Sequence, residues 1–472
     1  MFFQTGKPTD VRIVSTELYF LPVQTRVPLK FGRETLSSVT CARVRLTIVD
    51  RQGRSAEGWG ETPLSVQWVW PSSVAYNERH EALRLFSRML AQAWAHFIDW
   101  GHPIELGSDF SHLMLPRLLE DFNDSALATL QESMPLLAAL VCSSPFDLAL
   151  HDAYGNLHER PTYSTYTPEF MNRDLGDYFG SALPEGARTG SALGFLRPKP
   201  ELRLPVWHLV GGLDPLTSAD LTGQEPNDGY PVLLSDWIRR DGLRCLKVKL
   251  RGTDWEWDYQ RIRAVAAIAL PLGVKDFTAD FNCTVQDPEY VLSFLARLAA
   301  DDGQVYESLL YVEQPFEYEL ERRRLDVSRI ARLKPLFLDE SAHDWRCVAT
   351  GHSLGWNGVA LKTCKTQSGA LLSAAWALAH GMQLMVQDLT NPMLAQVTHC
   401  LLAAHVPTLM GVESNANQFY PEASLPEAAV FPGLYTRREG VVDLSDLRGN
   451  GFGMVAAYRI RKLPDPAISC GT

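Results

Sequence analysis

The sequence predicts an α/β fold, a closed barrel of parallel strands preceded by an α+β domain. Three observations carry that prediction. From residue 204 onward, short apolar runs alternate with helical segments of about 10 to 15 residues, the pattern of βαβ units. Ahead of them, a stretch of β-type alternation is followed by a stretch of helical periodicity. Finally, charged side chains recur at the ends of successive apolar runs, where the strands of a barrel open onto one face.

In chain order, residues 11 to 62 read as antiparallel strands. VRIVSTELYFLPV and CARVRLTIVDRQGRSAEGWGE carry β-branched alternation broken by the turn signal DRQG. Residues 78 to 157 are helical by pattern. In SSPFDLALHDAYGNLHERP, Phe146, Ala149, Leu150, Ala153 and Tyr154 recur at helical spacing, with serine before them and a glycine closing the run. Strands followed by helices give an α+β unit over residues 1–157. Residues 158–203 are rich in Tyr, Pro, Gly and Thr without sustained periodicity, and read as an inserted loop or linker. The barrel is assigned to 204–420, where LPVWHLV is followed by CLKVKL, FTADFN, YVEQP, FLDES, VALKT, LMVQD and TLMGVES. Residues 421–472 lack that rhythm and are expected to pack back on the first domain.

A chain of 472 residues has room for a barrel of ~250 residues and a second domain. With 46% hydrophobic and 21% charged residues, it has the composition of a soluble globular protein. The formal charge of -11 supplies no basic stripe for nucleic acid. Eight scattered cysteines without a CxxC pair suggest free thiols in a reducing compartment. MFFQTGKPTDVRIV lacks a signal-peptide layout, and no run of ~18 apolar residues free of charge occurs. The expectation is a cytoplasmic protein without a membrane or nucleic-acid partner.

The chemistry sits at the strand ends. Lys247 and Lys249 point to the same side because strand side chains repeat with period two. Two neighbouring ammonium groups repel, which lowers the pKa of at least one and lets it act as a base. Asp280, Glu313 and Asp339 follow at intervals of 33 and 26 residues, about one βα unit each. Their oxygens suit Mg²⁺ better than zinc. Lys362 ends the next strand; Lys365 reads as a loop charge. Each residue has a plainer reading: Lys-x-Lys as a solvated strand end, an acid as a helix cap, Lys362 as a structural ion pair. Three acids in succession at strand ends, with lysines on either side, argue for a site.

The chain resembles the enolase superfamily, and within it the muconate lactonizing enzyme subgroup. The pieces that match are KVK (247–249), DFN (280–282), EQP (313–315), DES (339–341) and LKTCKTQSG from 361, with GWGET (58–62) and ALHDAYG (149–155) in the N-terminal part. GWGET looks like the family's turn before its capping-domain helices. The resemblance implies a capping domain over a modified TIM barrel, (β/α)₇β. It implies that Asp280, Glu313 and Asp339 hold Mg²⁺ and that Lys249 and Lys362 are acid/base residues on opposite faces of a small carboxylate substrate. Lys247 would neutralise the substrate carboxylate or tune Lys249, Glu340 would orient Lys362, and Asn282 and Glu413 would stand around the substrate. A homo-oligomer is expected. A proton beside a carboxylate is removable only if the enediolate is stabilised, by a Lewis acid and by preorganised ammonium groups.

The implied activity is racemisation or epimerisation, because two opposed lysines can serve two stereoisomers alternately. Cycloisomerisation or syn β-elimination of the o-succinylbenzoate synthase type uses the same lysines with one as base. Dipeptide epimerases of the family carry Asp-x-Asp at the eighth strand, where this chain has GVESNANQF with Glu413 alone. Relatives with a His–Asp dyad place a histidine at the seventh strand end, where LMVQDLTNP offers Asp388 only, which disfavours sugar-acid dehydratase chemistry. GHSLG (351–355) fits G-x-S-x-G, but a helical segment precedes it and a strand follows, the reverse of a nucleophile elbow around Ser353. His343 and His352 read as loop residues, and His208 stands without the HxH of barrel metallohydrolases. The loop VPLKFG (27–32) and the aromatic segment SVQWVWP (65–71), with Phe31, Trp68 and Trp70, are expected to close over the site.

Overall fold

The structure, a computed structural model, describes residues 6–31, 34–126, 130–184 and 193–471. Strands β1 (Val11–Phe31), β2 (Glu34–Asp50) and β3 (Ser55–Pro63) form an antiparallel sheet in sequence order. The turn between β2 and β3 is held by Asp50, whose Oδ1 accepts the backbone N–H groups of Gln52 and Arg54 at 2.9 Å. VPLK of the expected loop 27–32 lies within the end of β1, and Gly32 falls outside the described residues. GWGET is strand β3 itself rather than a turn. Its glycines let the strand lie directly on the helix Leu136–Leu157, since a Cβ on Gly60 would stand 2.1 Å from the Pro145 carbonyl oxygen.

That helix starts at Leu136, because the apolar run LLAALV extends it upstream, so the serines before Phe146 lie inside it. It is the one described helix long and apolar enough to cross a membrane, and 94% of its apolar window is buried inside the protein. Residues between 158 and 203 bury Tyr163, Tyr166 and Phe179 in the main core, on the short turns Thr162–Thr165 and Leu175–Phe179.

Eight parallel strands make the barrel: β4 (Arg203–Val210), β5 (Cys245–Lys249), β6 (Asp276–Asp280), β7 (Leu309–Glu313), β8 (Leu336–Leu338), β9 (Gly358–Leu361), β10 (Gln383–Val386) and β11 (Val412–Glu413). β11 pairs with β4, Val412 opposite Val206. The Leu409 N–H donates to Leu384 O of β10 at 2.7 Å, which brings the two ends of the strand row together. Helices follow the first seven strands, giving (β/α)₇β. The segment after β7 departs from the expected long helix. It is two single turns, Leu320–Arg323 and Ser328–Ala331, because Arg324 takes a left-handed conformation at φ 45°. β12 (Val441–Asp443) adds antiparallel to β4, and β13 (Ile468–Gly471) lies along β1, Ser15 opposite Gly471.

Strand alternation stacks the interior in layers. Trp207, Cys245, Tyr311, Phe337 and Met385 form a separate apolar plug. Two residues further along the same strands stand Leu209, Lys247, Glu313, Asp339 and Gln387. The charged layer therefore rests on the plug, where the Tyr311 and Phe337 rings stack at 4.1 Å.

Candidate active site

The six strand-end residues singled out from the sequence are brought together and buried. Lys247 Nζ donates to Glu313 Oε1 at 2.7 Å, Gln387 Oε1 at 2.8 Å and Glu413 Oε2 at 3.2 Å, and lies 3.1 Å from Asp280 Oδ2. Lys249 Nζ donates to Asp280 Oδ2 at 2.5 Å. On the other side of the row, Lys362 Nζ lies 3.1 Å from Asp339 Oδ2 and donates to the Asp388 carbonyl at 2.8 Å. Ammonium groups thus lie between the acids. Among the described residues, no three Asp, Glu, His or Cys side chains converge on one point.

Burial lowers the pKa of Lys247, but the carboxylates of Glu313, Glu413 and Asp280 outweigh it and hold the group well above the ordinary lysine value. For Lys247 the shift is opposite to a depression by a neighbouring ammonium, because the charges of Glu313, Glu413, Asp280 and Asp339 crowd round it. Lys362 is raised in the same way, burial being outweighed chiefly by Asp339. Burial alone would raise Asp280 and Asp339. The charges of Lys249 and Lys247 lower the first, and those of Lys362 and Lys365 the second. Glu313, between them, is pushed up by burial and by the charge of Asp280.

Three further features were not read from the sequence. Lys365 is a buried site residue rather than a loop charge. The single 3₁₀ turn Thr363–Lys365 folds it back so that Nζ lies 3.5 Å from Asp339 Oδ1 and donates to the Asp339 carbonyl. Gln387 bridges Lys247 to Glu313, donating to Glu313 Oε2 at 2.6 Å; its place two residues after the inward Met385 was the available signal. Glu340 accepts from Trp68 Nε1 and Asn282 Nδ2, both at 3.0 Å, so its partners are the cap and Asn282 rather than Lys362. Asn282 in turn donates its backbone N–H to Asp280 Oδ1 at 2.9 Å, with φ at 43°.

Trp68 is the cap's contribution. Its ring lies 4.9 Å from Lys362 Nζ and 5.5 Å from Lys365 Nζ. It lines the site's cavity with Leu29, Phe31 and Leu36, whereas Trp70 is buried in the cap's core. The cavity is small, about 30 Å³. A larger one of about 360 Å³ lies on the other face of β4, lined by His208 and Val210, and holds none of the strand-end lysines or acids. The cap helix also grips the segment that carries Lys362 and Lys365. Ser144 Oγ donates to the Thr363 carbonyl at 2.7 Å, and Asp147 accepts both N–H and Oγ–H of Ser368 at 3.0 and 2.8 Å. His151 Nε2 lies 2.8 Å from Ser368 Oγ, which gives its proton to Asp147, so His151 is the donor there. Ser353 ends the helix Trp345–Ser353 before β9, the reverse of a nucleophile elbow, and His352 lies on that helix rather than in a loop.

A lysine-and-carboxylate layer at the C-terminal face of a capped (β/α)₇β barrel defines an enzyme class. Residues 232–457 match the family described as Enolase C-terminal domain-like. The aromatic dipeptide epimerase of Herpetosiphon aurantiacus is 25% identical over 256 residues, 53% of this chain and 67% of that protein. The N-succinyl Arg/Lys racemase of Bacillus cereus aligns with TM-score 0.60 at 14% identity, covering 97% of this chain and 99% of that one. The dipeptide epimerase of Enterococcus faecalis V583, solved with Mg and L-Leu-L-Tyr, gives 0.59 at 14% identity over 94% and 99%. At these identities the two structures speak for the fold. Over residues 232–457, just under half of the chain, the protein carries the Enolase C-terminal domain-like family, and its fold is that of the mandelate racemase/muconate lactonizing enzymes; it is an enzyme.

Proposed function

We propose that this enzyme removes and returns the proton α to a carboxylate, acting as a racemase or epimerase. The observation that carries the reading is the pairing of two buried lysines with different acids at opposite ends of one row, Lys249 with Asp280 and Lys362 with Asp339. A substrate seated between them meets one ammonium or amine on each face. The neutral lysine takes the α-proton and the protonated one opposite returns it, so the configuration inverts. Lys247 and Lys365 add fixed positive charge for the anion that forms.

By donor type the acids suit a divalent cation, all three offering hard oxygens, although among the described residues they do not converge: Lys247 lies between Asp280 and Glu313, and Lys365 stands 3.5 Å from Asp339 Oδ1. Held by Asp280, Glu313 and Asp339, Mg²⁺ would supply Lewis-acid stabilisation of negative charge on the substrate carboxylate. The epimerase and racemase activities of the similar proteins support the reaction type. Their dipeptides are not carried over, since the resemblance implies Asp-x-Asp at the eighth strand of dipeptide epimerases and this chain has Glu413 alone in GVESNANQF. The test is α-deuteration of carboxylate libraries in D₂O with Mg²⁺, read by NMR. Exchange that EDTA abolishes is expected; its absence across acylamino acids, dipeptides, sugar acids and lactones sinks the reading.

A further inference from the structure

We propose that the site takes a carboxylate whose acidic carbon bears an uncharged, apolar substituent. The inference rests on the proton-abstraction reading above and concerns the rest of the substrate. Around the charged layer, the cavity wall carries apolar side chains on both sides of the domain boundary, with Ser65, Thr390 and Asn415 as its uncharged polar members. The cap supplies Leu29, Phe31 and Leu36; the barrel supplies Leu209 from β4 and Leu389 after β10. A charged substituent placed against these side chains loses its water and gains no partner.

Of the acids lining the cavity, Asp339 faces Lys362 and Lys365, and Asp388 and Glu413 are already engaged by hydrogen bonds. Asp388 Oδ1 accepts the Asn391 N–H at 2.8 Å and its Oδ2 accepts the Asn415 N–H at 2.6 Å. Glu413 Oε1 accepts from Asn415 Nδ2 at 2.7 Å, and Oε2 accepts from Lys247 at 3.2 Å and the Asp388 N–H at 3.1 Å. An ammonium at the acidic carbon would therefore meet Lys249 and Lys362 without a counter-charge. An anionic substituent fares no better, since the cations lining the cavity are lysines that the acids already engage and that the reaction needs.

The test measures α-deuteration by the Mg²⁺-loaded enzyme with a matched panel. N-acetylleucine and 2-phenylpropanoate are the apolar members; leucine, N-acetyllysine and N-acetylglutamate carry charge. The apolar members should exchange at least about tenfold faster, the scale on which a pocket separates side chains. Leu389→Arg should shift the preference toward N-acetylglutamate, and Leu29→Arg serves if that variant does not fold by circular dichroism. Charged members exchanging as fast as apolar ones overturn this inference and leave the proton-abstraction reading standing. No exchange from any member overturns that reading, and the inference with it.

Discussion

Lys249 and Lys362 differ in what surrounds them. Lys362 has the Asp388 carbonyl, Asp339 and the Trp68 face, whereas Lys249 is engaged by Asp280. For a racemase, Lys249→Ala should stop exchange from one stereoisomer and Lys362→Ala from the other, each by ~10²–10⁴-fold. Measured with both isomers in D₂O, loss from the same isomer in both variants would make the enzyme one-base and favour elimination or cycloisomerisation. Lys365→Ala should also lower exchange, from both isomers alike, because it removes charge beside Asp339 without removing a base. The positions of Lys247, Lys249, Asp280, Glu313 and Asp339 were legible because period-two alternation and strand ends are written in the sequence. Lys365 was not, because a single turn of 3₁₀ helix decides whether a charge three residues on faces solvent or folds inward. Nor was the partner of Glu340, which comes from a segment far away in the chain.

At the scale of elements, β3 and the helix Leu136–Leu157 touch backbone to backbone through Gly58 and Gly60. Gly60→Ala should cost ~1–3 kcal/mol by overpacking, seen as a lowered denaturation midpoint with an unchanged m-value. Trp68→Phe keeps an aromatic ring over the lysines but removes the donor to Glu340. It should weaken substrate binding more than it lowers turnover, a split read from KM and kcat. The alternation of barrel strands and helices was legible as periodicity. The strand character of 55–62 was legible as alternation too, and only the resemblance made GWGET a turn. The helix start at Leu136 was not legible, because serine–proline is a local signal that tertiary packing overrode. A proline inside a buried helix is tolerated where the surrounding contacts hold the backbone.

Over the whole molecule, buried polar groups of cap and barrel engage one another. Ser144, Asp147 and His151 of the cap engage Thr363 and Ser368 of the barrel, and Arg43 of β2 lies 3.2 Å from Glu427, which Arg461 also meets at 2.7 Å. Separating the two units would strip Asp147 and His151 of Ser368 and the Thr363 carbonyl of Ser144, and would break the Arg43–Glu427 pair. Heating should therefore give a single calorimetric transition, and Asp147→Ala should lower it without splitting it. The small cavity has a consequence for timing. At about 30 Å³ it has room for little more than a water molecule, so a substrate carboxylate needs space that Phe31 and Trp68, which line it, would have to yield. If they do yield, each turnover would include two movements of the cap through solvent, and friction would enter the enzyme's tempo. Added viscogen should slow the native enzyme, whereas in a variant crippled at Lys249 the chemistry is the slower clock and thickening the medium should change nothing.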